Sequence, residues 1–199
     1  TLAVVAVGRA ATGPRIEVED PLLALQRYAG WVRTHRIGRV LAITGSNGKT
    51  IVKDALTTLL SGVMKVACSP GSYNSQVGVP LALLSIPEDV DLAIIEVGVS
   101  ARGEMGRHLE MVAPDYGLLT NIGLAHIGSF GTREVTAWEK MSLFTKNPDQ
   151  GWVLLPRDET LVVERLDRLE ASVVWHGEDG AVVFFFVVVV DDLGEEAFI

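Results

Sequence analysis

The sequence predicts an α/β fold in which a mostly parallel sheet is flanked by helices. Apolar segments of strand length alternate with segments of helical length along the chain, which is typical of β-α-β units. A glycine-rich turn joins the first of these strands to its helix, as in nucleotide-binding domains of the P-loop type. A length of 199 residues with a hydrophobic content of 48% is sufficient for a buried core.

The individual elements follow from apolar periodicity and from turn residues. Asp20 and Pro21 stand where a helix N-cap and first helical residue are expected, so a helix is predicted over 21–34. The apolar run 182–190 is predicted to be a buried strand. The other predicted strands are 40–44, 65–68, 92–97, 116–121, 153–155 and 173–175, and the other predicted helices are 49–61, 79–84, 104–111, 135–144 and 160–169.

Residues 42–50 read Ala-Ile-Thr-Gly-Ser-Asn-Gly-Lys-Thr and form the glycine-rich turn. Backbone N–H groups in such a turn, together with the positive end of the next helix, attract phosphate. Lys49 would reach the outer phosphates, and the Thr50 hydroxyl would ligate Mg²⁺. The longer pattern G-x-x-x-x-G-K-[ST] requires glycine where Ile43 stands, and a plain strand-to-helix turn is the alternative. The expected phosphate-binding residues are Gly45, Ser46, Asn47, Gly48, Lys49 and Thr50.

Glu96 ends an apolar run at residues 92–95 and marks a second polar position beside the predicted sheet. In an open parallel sheet the binding crevice lies beyond the carboxyl ends of the strands, where Thr50 is also expected. A carboxylate there is a hard oxygen ligand suited to Mg²⁺. A generic acidic strand end is the alternative interpretation of Glu96.

The short loop form Thr44-Gly45-x-x-Gly48-Lys49-Thr50 resembles the ATP-binding loop of the Mur ligases, which form amide bonds in bacterial peptidoglycan synthesis. The order and spacing of further segments resemble the MurF type, and the resemblance covers about residues 15–160. Those segments are 72–80 (SYNSQVGVP), 94–98 (IIEVG) with 103–105 (GEM), 120–126 (TNIGLAH) and 138–144 (WEKMSLF).

The resemblance implies roles for two residues that the local pattern leaves undecided. His126, in the segment 120–126, would contribute to catalysis and to metal binding. Lys140 lies on a mostly apolar predicted helix, where it would either face solvent or be modified. The resemblance implies a carbamate on Lys140 that helps to hold a second Mg²⁺. The chain has Ser142 where MurF-type enzymes often have a glutamate, so the sequence around Lys140 does not fully match the MurF type.

The activity implied by the resemblance is ATP-dependent amide formation. ATP phosphorylates a carboxylate to an acyl phosphate, which an amine then attacks; Lys49, His126 and Lys140 would be the catalytic residues. In the complete enzyme the partners would be a UDP-MurNAc-tripeptide and D-Ala-D-Ala, with ATP and Mg²⁺ as cofactors. The substrate-facing residues would be Asn74, Ser75 and Gln76, for which turn formation between strand and helix is the alternative.

The resemblance also implies a domain organisation. Residues 1–14 would be the tail of an N-terminal UDP-substrate domain, and residues 15–199 would be the central ATP-binding domain. The C-terminal ligase domain would be absent, so we expect the isolated chain to be inactive in ligation.

Composition and motifs restrict the other classes of function. The formal net charge of −8 argues against nucleic-acid binding through a broad basic face. The run 182–190 is about half the length of a membrane helix, which needs roughly 20 residues, so no membrane insertion is expected. The single cysteine, Cys68, fits a reducing cytoplasm, and the resemblance implies that the cytoplasm is bacterial. His35, His108 and His176 have no partner at a metal-ligand spacing and are expected on the surface.

Two alternative functions remain open at this stage. Another Mur-like ligase, such as a different muramoyl-peptide ligase or a folylpolyglutamate synthase, would share the loop, Glu96 and His126. A non-catalytic nucleotide-binding scaffold would keep the fold without the reaction. A P-loop GTPase is disfavoured because the sequence has no N-K-x-D motif for base recognition.

Overall fold

The structure is a computed structural model that describes residues 3–9, 13–123, 127–145, 151–169 and 171–177. Its strands form a parallel pair and a six-stranded sheet in which all neighbouring strands are parallel. The predicted α/β class with a mostly parallel sheet is confirmed. The pair consists of Ala3–Ala6 (β1) and Arg15–Val18 (β2), and the large sheet of Arg39–Thr44 (β3), Val66–Cys68 (β4), Leu92–Glu96 (β5), Tyr116–Leu119 (β6), Trp152–Pro156 (β7) and Ser172–His176 (β8).

In the described part of the chain, the first helix precedes the large sheet and the other helices connect its strands. Asp20 caps the first helix as predicted, because its Oδ1 accepts hydrogen bonds from the N–H groups of Leu22 and Leu23, at 2.9 and 3.1 Å. The helices are Pro21–Arg36 (α1), Lys49–Leu60 (α2), Gly78–Ser85 (α3), Glu104–Val112 (α4), Ile127–Phe130 (α5), Arg133–Met141 (α6) and Thr160–Val163 (α7).

Most predicted elements agree with the structure to within a few residues, and the differences have local causes. The helix predicted over 135–144 begins earlier because the Thr132 hydroxyl caps it, and it ends in the 3₁₀ turn Ser142–Phe144. The helix predicted over 160–169 is instead α7 followed by the 3₁₀ turn Leu166–Arg168. The strand predicted over 182–190 lies outside the described residues.

Strands β1 and β2 and helix α5 were not predicted. The two strands are short and none of their residues is buried, so they lack the apolar alternation that identifies a strand in a sequence. They pair with each other from Ala3 opposite Arg15 to Ala6 opposite Val18. The predicted domain boundary between residues 14 and 15 falls between them, and the division into domains stays a prediction.

The large sheet is buried on both faces. In β3, Val40 and Ala42 belong to one apolar cluster, whereas Leu41 and Ile43 belong to the other. This alternation reflects the two-residue period of a strand. Helices α1, α3, α4 and α6 contribute side chains to the first cluster, and α2 contributes Leu56 and Leu60 to the second.

The strand order β4-β5-β3-β6-β7-β8 determines where a ligand site can form. The chain passes from β3 outward to β4, returns to β5 beside β3, and then continues with β6 on the other side of β3. The loops that follow β3, β5 and β6 therefore meet at one edge of the sheet. In open α/β sheets this switch in strand order creates the crevice in which ligands bind. Within the described part of the chain, no helix is long and apolar enough to cross a membrane.

Candidate functional site

The glycine-rich turn joins β3 to α2 in a conformation that requires glycine. Gly45 has a φ of 144°, and a Cβ atom at this position would lie 1.9 Å from the Thr120 hydroxyl oxygen. Gly48 has a φ of 80° and is the N-cap of α2. Since Gly48 has no side chain to cap the helix, the amino end of α2 opens toward the crevice as phosphate binding requires.

The segment after β6 braces this turn. The Ser46 N–H donates to the Asn121 carbonyl oxygen at 3.0 Å, and the Asn47 N–H donates to Asn121 Oδ1 at 3.2 Å. The Thr120 hydroxyl donates to the Asn47 carbonyl oxygen at 2.7 Å. Two of the N–H groups expected to face phosphate are thus bonded within the protein. Among the expected phosphate-binding residues, amide contacts to a phosphate are therefore left to Gly45, Gly48, Lys49 and Thr50.

Two lysines converge beneath the turn. Lys49 Nζ and Lys140 Nζ each donate a hydrogen bond to the Gly45 carbonyl oxygen at 3.0 Å, although Lys140 is 95 residues away along the chain. Lys140 is only 2% exposed, which excludes the interpretation that it lies on a solvated face. Two neighbouring ammonium groups in a partly closed site favour a bound anion.

The surroundings of both lysines change their proton affinity. Burial lowers the pKa of Lys140 to about 8; the charge of Lys49 lowers it as well, and Glu139 acts in the opposite direction. Burial also lowers the pKa of Lys49, while the carboxylate of Glu96 acts against this change. Glu139 is itself buried and accepts a hydrogen bond from the Met105 N–H at the start of α4, at 3.0 Å.

Glu96 and Thr50 come together as the sequence predicts. Glu96 is 1% exposed, and its Oε2 accepts a hydrogen bond from the Thr50 hydroxyl at 2.7 Å. Its Oε1 accepts a hydrogen bond from Asn74 Nδ2 at 2.5 Å, a contact that the sequence did not predict. A carboxylate and a hydroxyl at the amino end of α2 form a hard oxygen donor set that suits Mg²⁺.

The three predicted substrate residues differ in their surroundings. Ser75 is exposed, and its hydroxyl oxygen accepts a hydrogen bond from the Gly78 N–H at 3.0 Å. The Gln76 side chain turns into the protein, where its Nε2 lies 2.8 Å from His108 Nε2 and its Oε1 accepts a hydrogen bond from Gln26 at 3.0 Å. The Asn74 side chain donates its hydrogen bond to the Glu96 carboxylate.

The prediction that His108 lies on the surface is wrong. His108 is fully buried between α4 and the segment that carries Gln76, because Gln76 provides a polar partner inside the protein. Burial lowers the pKa of His108 to about 4, against the effect of Glu104, so its ring is neutral at pH 7. His35 is exposed as expected, whereas His176 is half-buried and its Nε2 lies 2.8 Å from the Leu119 carbonyl oxygen.

A cavity of about 310 Å³ lies beside the two lysines and the predicted substrate residues. It opens between the glycine-rich turn with its predicted phosphate-binding residues 45–50 (the phosphate loop), the segment 74–77 and the loop after β5. Lys49 and Lys140 line it together with Glu104, whose carboxylate accepts a hydrogen bond from the Ser100 N–H at 2.7 Å. The arrangement can hold an anionic chain of phosphates at one end and a polar substrate at the other.

One predicted site residue cannot be placed, and one buried lysine near the site was not predicted. His126 lies outside the described residues. Within the described ranges, no group of three or more His, Cys, Asp or Glu side chains could hold a metal ion without other donors. Lys53, which the sequence did not single out, is 1% exposed in α2. Its position among apolar helix residues was a signal of burial that could have identified it.

One protein-family model matches most of the chain. The family model described as "Mur ligase middle domain" matches residues 43–191, which is well over half of the chain. The chain belongs to the Mur ligase family. The resemblance found in the loop and in the four further segments is therefore confirmed.

Individual Mur ligases show the same relationship. The chain is 35% identical over 147 residues to the UDP-N-acetylmuramoyl-tripeptide–D-alanyl-D-alanine ligase of Bacillus subtilis, covering 74% of this chain and 32% of that protein. It is 34% identical over 165 residues to the ligase of the same name from Synechocystis, covering 82% and 36%. The chain thus spans about a third of the length of the curated relatives it matches.

Solved structures of Mur ligases have the same fold. MurF from Acinetobacter baumannii superposes with a TM-score of 0.81 at 28% identity, covering 89% of this chain and 40% of that chain. MurF from Thermotoga maritima, solved in complex with ADP, gives a TM-score of 0.80 at 26% identity, covering 89% and 42%. A folylpolyglutamate synthase of L. casei gives 0.56 at 17% identity, covering 83% and 52%, which shows the shared fold alone.

Proposed function

We propose that this Mur ligase chain is the central ATP-binding domain of a MurF-type ligase, which joins D-Ala-D-Ala to a UDP-MurNAc-tripeptide in the bacterial cytoplasm. Residues 1–14 would belong to the preceding UDP-substrate domain and residues 15–199 to the central domain. The observation that carries the proposal is the convergence of Lys49, Lys140, Thr50 and Glu96 at the carboxyl edge of the sheet. Relatives at 34–35% identity bear the name of this ligase.

The proposed reaction needs positioning and charge neutralisation more than a protein nucleophile. A carboxylate oxygen of the tripeptide attacks the γ-phosphorus of ATP, the bond to the β-phosphate oxygen breaks, and ADP leaves. The amine of D-Ala-D-Ala then attacks the acyl carbon, the amine loses a proton, and inorganic phosphate leaves. Lys49 would neutralise charge on the phosphoryl group during transfer.

The residues around Glu96 fit the proposed magnesium. Thr50 and Glu96 would hold the ion, and His126 is a further proposed ligand. Magnesium would supply charge neutralisation and alignment of the phosphates. Asn74, Ser75 and Gln76 line the cavity that Lys49 and Lys140 also line, and we assign them to the side that faces the muramoyl peptide.

Lys140 would contribute as a carbamate. Carbamate formation joins the neutral amine nitrogen to the carbon of CO₂ and releases a proton, so it requires an unprotonated lysine. The pKa of about 8 makes this form accessible near neutral pH. A carbamate would convert the second cation beneath the loop into an anion able to bind a metal.

The carbamate is tested by labelling. The chain equilibrated with ¹³C-bicarbonate at pH 8.5 is expected to show a carbamate carbon resonance, which Lys140→Met removes. Lys65→Met serves as the control, because Lys65 is exposed and its side chain contacts only Asp89 among the described ion pairs. A spectrum of the parent chain without the resonance, or one retained by Lys140→Met, would contradict the assignment.

The nucleotide site is tested by calorimetry. We expect Mg-ATP to bind the chain saturably and Lys49→Ala and Glu96→Ala each to weaken binding at least tenfold, because each removes a charged contact to phosphate or metal. Lys65→Ala is the matched surface control. Competition with GTP distinguishes an ATP site from a GTPase site. A folded parent that binds no Mg-ATP, or variants that bind as the parent does, would contradict the proposed nucleotide site.

A further inference from the structure

Lys53 is a buried cation whose bonds lead away from the phosphate loop. It lies one helical turn after Lys49 in α2, and its Nζ donates to the Ser69 carbonyl oxygen at 2.8 Å and to the Gly71 carbonyl oxygen. Asp54 Oδ1 lies 3.3 Å from the same nitrogen. Three acceptors therefore surround an ammonium group that has three N–H donors.

The two carbonyls belong to the segment 69–76 between β4 and α3, which is attached to β5 at several points. The Ser69 hydroxyl oxygen accepts a hydrogen bond from the Glu96 N–H at 2.9 Å. Asn74 Nδ2 donates to Glu96 Oε1, and the Gly98 N–H donates to the Asn74 carbonyl oxygen at 2.7 Å. The segment thus contacts both the backbone and the carboxylate of Glu96.

We propose that Lys53 is a positioning residue that fixes the Glu96 carboxylate for magnesium by tying the segment 69–76 to helix α2. The inference rests on the proposed function, since it assumes that Glu96 holds magnesium beside ATP. Glu96 is held by Thr50 from α2 and by Asn74 from the segment. Lys53 joins these two supports, because it is part of α2 and binds the backbone that leads to Asn74.

Removal of the ammonium group has a specific consequence. In Lys53→Met the chain length is kept, but two carbonyl oxygens lose their buried donor. The segment is then held by its contacts to β5 alone, so that Asn74 is no longer fixed relative to α2 and to Thr50 on the other side of Glu96. Among the described side-chain hydrogen bonds, the Lys53 ammonium group bonds neither Lys49 nor the turn 45–48, so metal-free contacts to phosphate are retained.

The test is the gain in ATP affinity that magnesium provides. ATP is titrated into the chain by calorimetry with Mg²⁺ and with EDTA. The dissociation constant in EDTA is divided by the dissociation constant with Mg²⁺, and this ratio is compared among variants. Lys53→Met is expected to lower this ratio at least fivefold while changing the metal-free dissociation constant less than twofold. Lys65→Met, which removes an exposed lysine, is expected to change neither value.

A double-mutant cycle separates positioning from general destabilisation. In a Glu96→Gln background Lys53→Met is expected to have no further effect on the ratio, because its effect acts through Glu96. A ratio unchanged by Lys53→Met, or an equal loss in both backgrounds, would overturn the inference and leave the proposed function standing. A folded parent whose ATP binding gains nothing from magnesium would overturn the proposed magnesium site and the inference with it.

The folded state of each variant is verified by urea unfolding. If Lys53→Met does not fold, Lys53→Gln is used, because glutamine keeps an N–H donor for the segment. It is judged by the same ratio, which is expected to fall by a smaller factor than fivefold, and an unchanged ratio would again overturn the inference.

Discussion

Replacing Arg33 with alanine is expected to lower the free energy of unfolding by about 3–5 kcal/mol, the usual cost of breaking a buried ion pair. The Arg33 guanidinium contacts Asp115 Oδ2 at 2.6 Å and donates to the carbonyl oxygens of Val112 and Ala113, both at 2.8 Å. It also donates to the Ile37 carbonyl oxygen at 3.0 Å. These bonds tie α1 and the turn after it to the end of α4.

The cost is large because the acceptors remain when the donor is removed. Asp115 Oδ2 also accepts a hydrogen bond from the Val40 N–H at 2.7 Å, so the same carboxylate anchors the start of β3. Carbonyl groups at the end of α4 would lose a charged donor in a place that water reaches poorly. The effect should therefore spread from α1 and α4 to the central strand.

The measurement is urea unfolding at pH 7, with Arg36→Ala as the matched control. Arg36 belongs to the same helix, but its ion pair with Glu88 is exposed on both sides, at 48% and 69%. Its loss is expected to cost about 1 kcal/mol or less. Equal effects of the two substitutions would contradict the role assigned to Arg33.

Replacing Lys140 with methionine is expected to raise the free energy of unfolding by about 2 kcal/mol at pH 7 in buffer free of CO₂. Burial and the charge of Lys49 lower the pKa of Lys140 from its ordinary 10.5 to about 8. At ~1.4 kcal/mol for each pH unit, keeping this lysine protonated in the folded chain costs about 3 kcal/mol. The lost hydrogen bond to Gly45 offsets about 1 kcal/mol of the gain.

The pH dependence provides an independent check. Between pH 8 and 10.5 the unfolded parent binds more protons at Lys140 than the folded parent does, so the stability of the parent rises with pH through this range. The methionine variant lacks this rise, and its advantage should disappear as the pH approaches 10.5. Urea unfolding of both proteins at pH 7 and pH 10 measures the change.

The control variant for the Lys140 prediction replaces an exposed lysine. Lys65→Met, at an exposed position, is expected to change stability by less than about 0.5 kcal/mol at either pH. A Lys140→Met variant less stable than the parent at pH 7 would contradict the prediction. A stability gain that accompanies loss of the carbamate would show that this lysine is retained for function at a cost to the fold.

Much of the fold could be predicted because its signals are local. Asp20 and Pro21 identify the start of α1 through the chemistry of a helix cap, and the apolar run that ends at Glu96 identifies β5. The turn between β3 and α2 is evident from Gly45 and Gly48, whose φ values confirm that glycine is needed there. In each case neighbouring residues determine the conformation, so the order of residues is sufficient to recognise it.

The site was predictable in part for a related reason. Lys49, Thr50 and Glu96 follow the ends of strands, and parallel strands place their carboxyl ends at one edge. Their convergence therefore followed from the fold class, whereas the role proposed for Lys140 rests on the resemblance to the Mur ligases and stays a prediction. The roles of His126 and of the muramoyl-peptide substrate stay predictions.

The sequence by itself determined the class of fold, the glycine-rich turn between β3 and α2 and the residues at the strand ends. Only the tertiary structure decided that Lys53 is buried against Ser69, that His108 pairs with Gln76, and that Asn121 takes two amides of the phosphate loop. The physical reason is the distance along the chain between the residues that interact. Caps, turns and periodicity depend on neighbours in the chain, whereas these polar contacts depend on which strands and helices pack side by side.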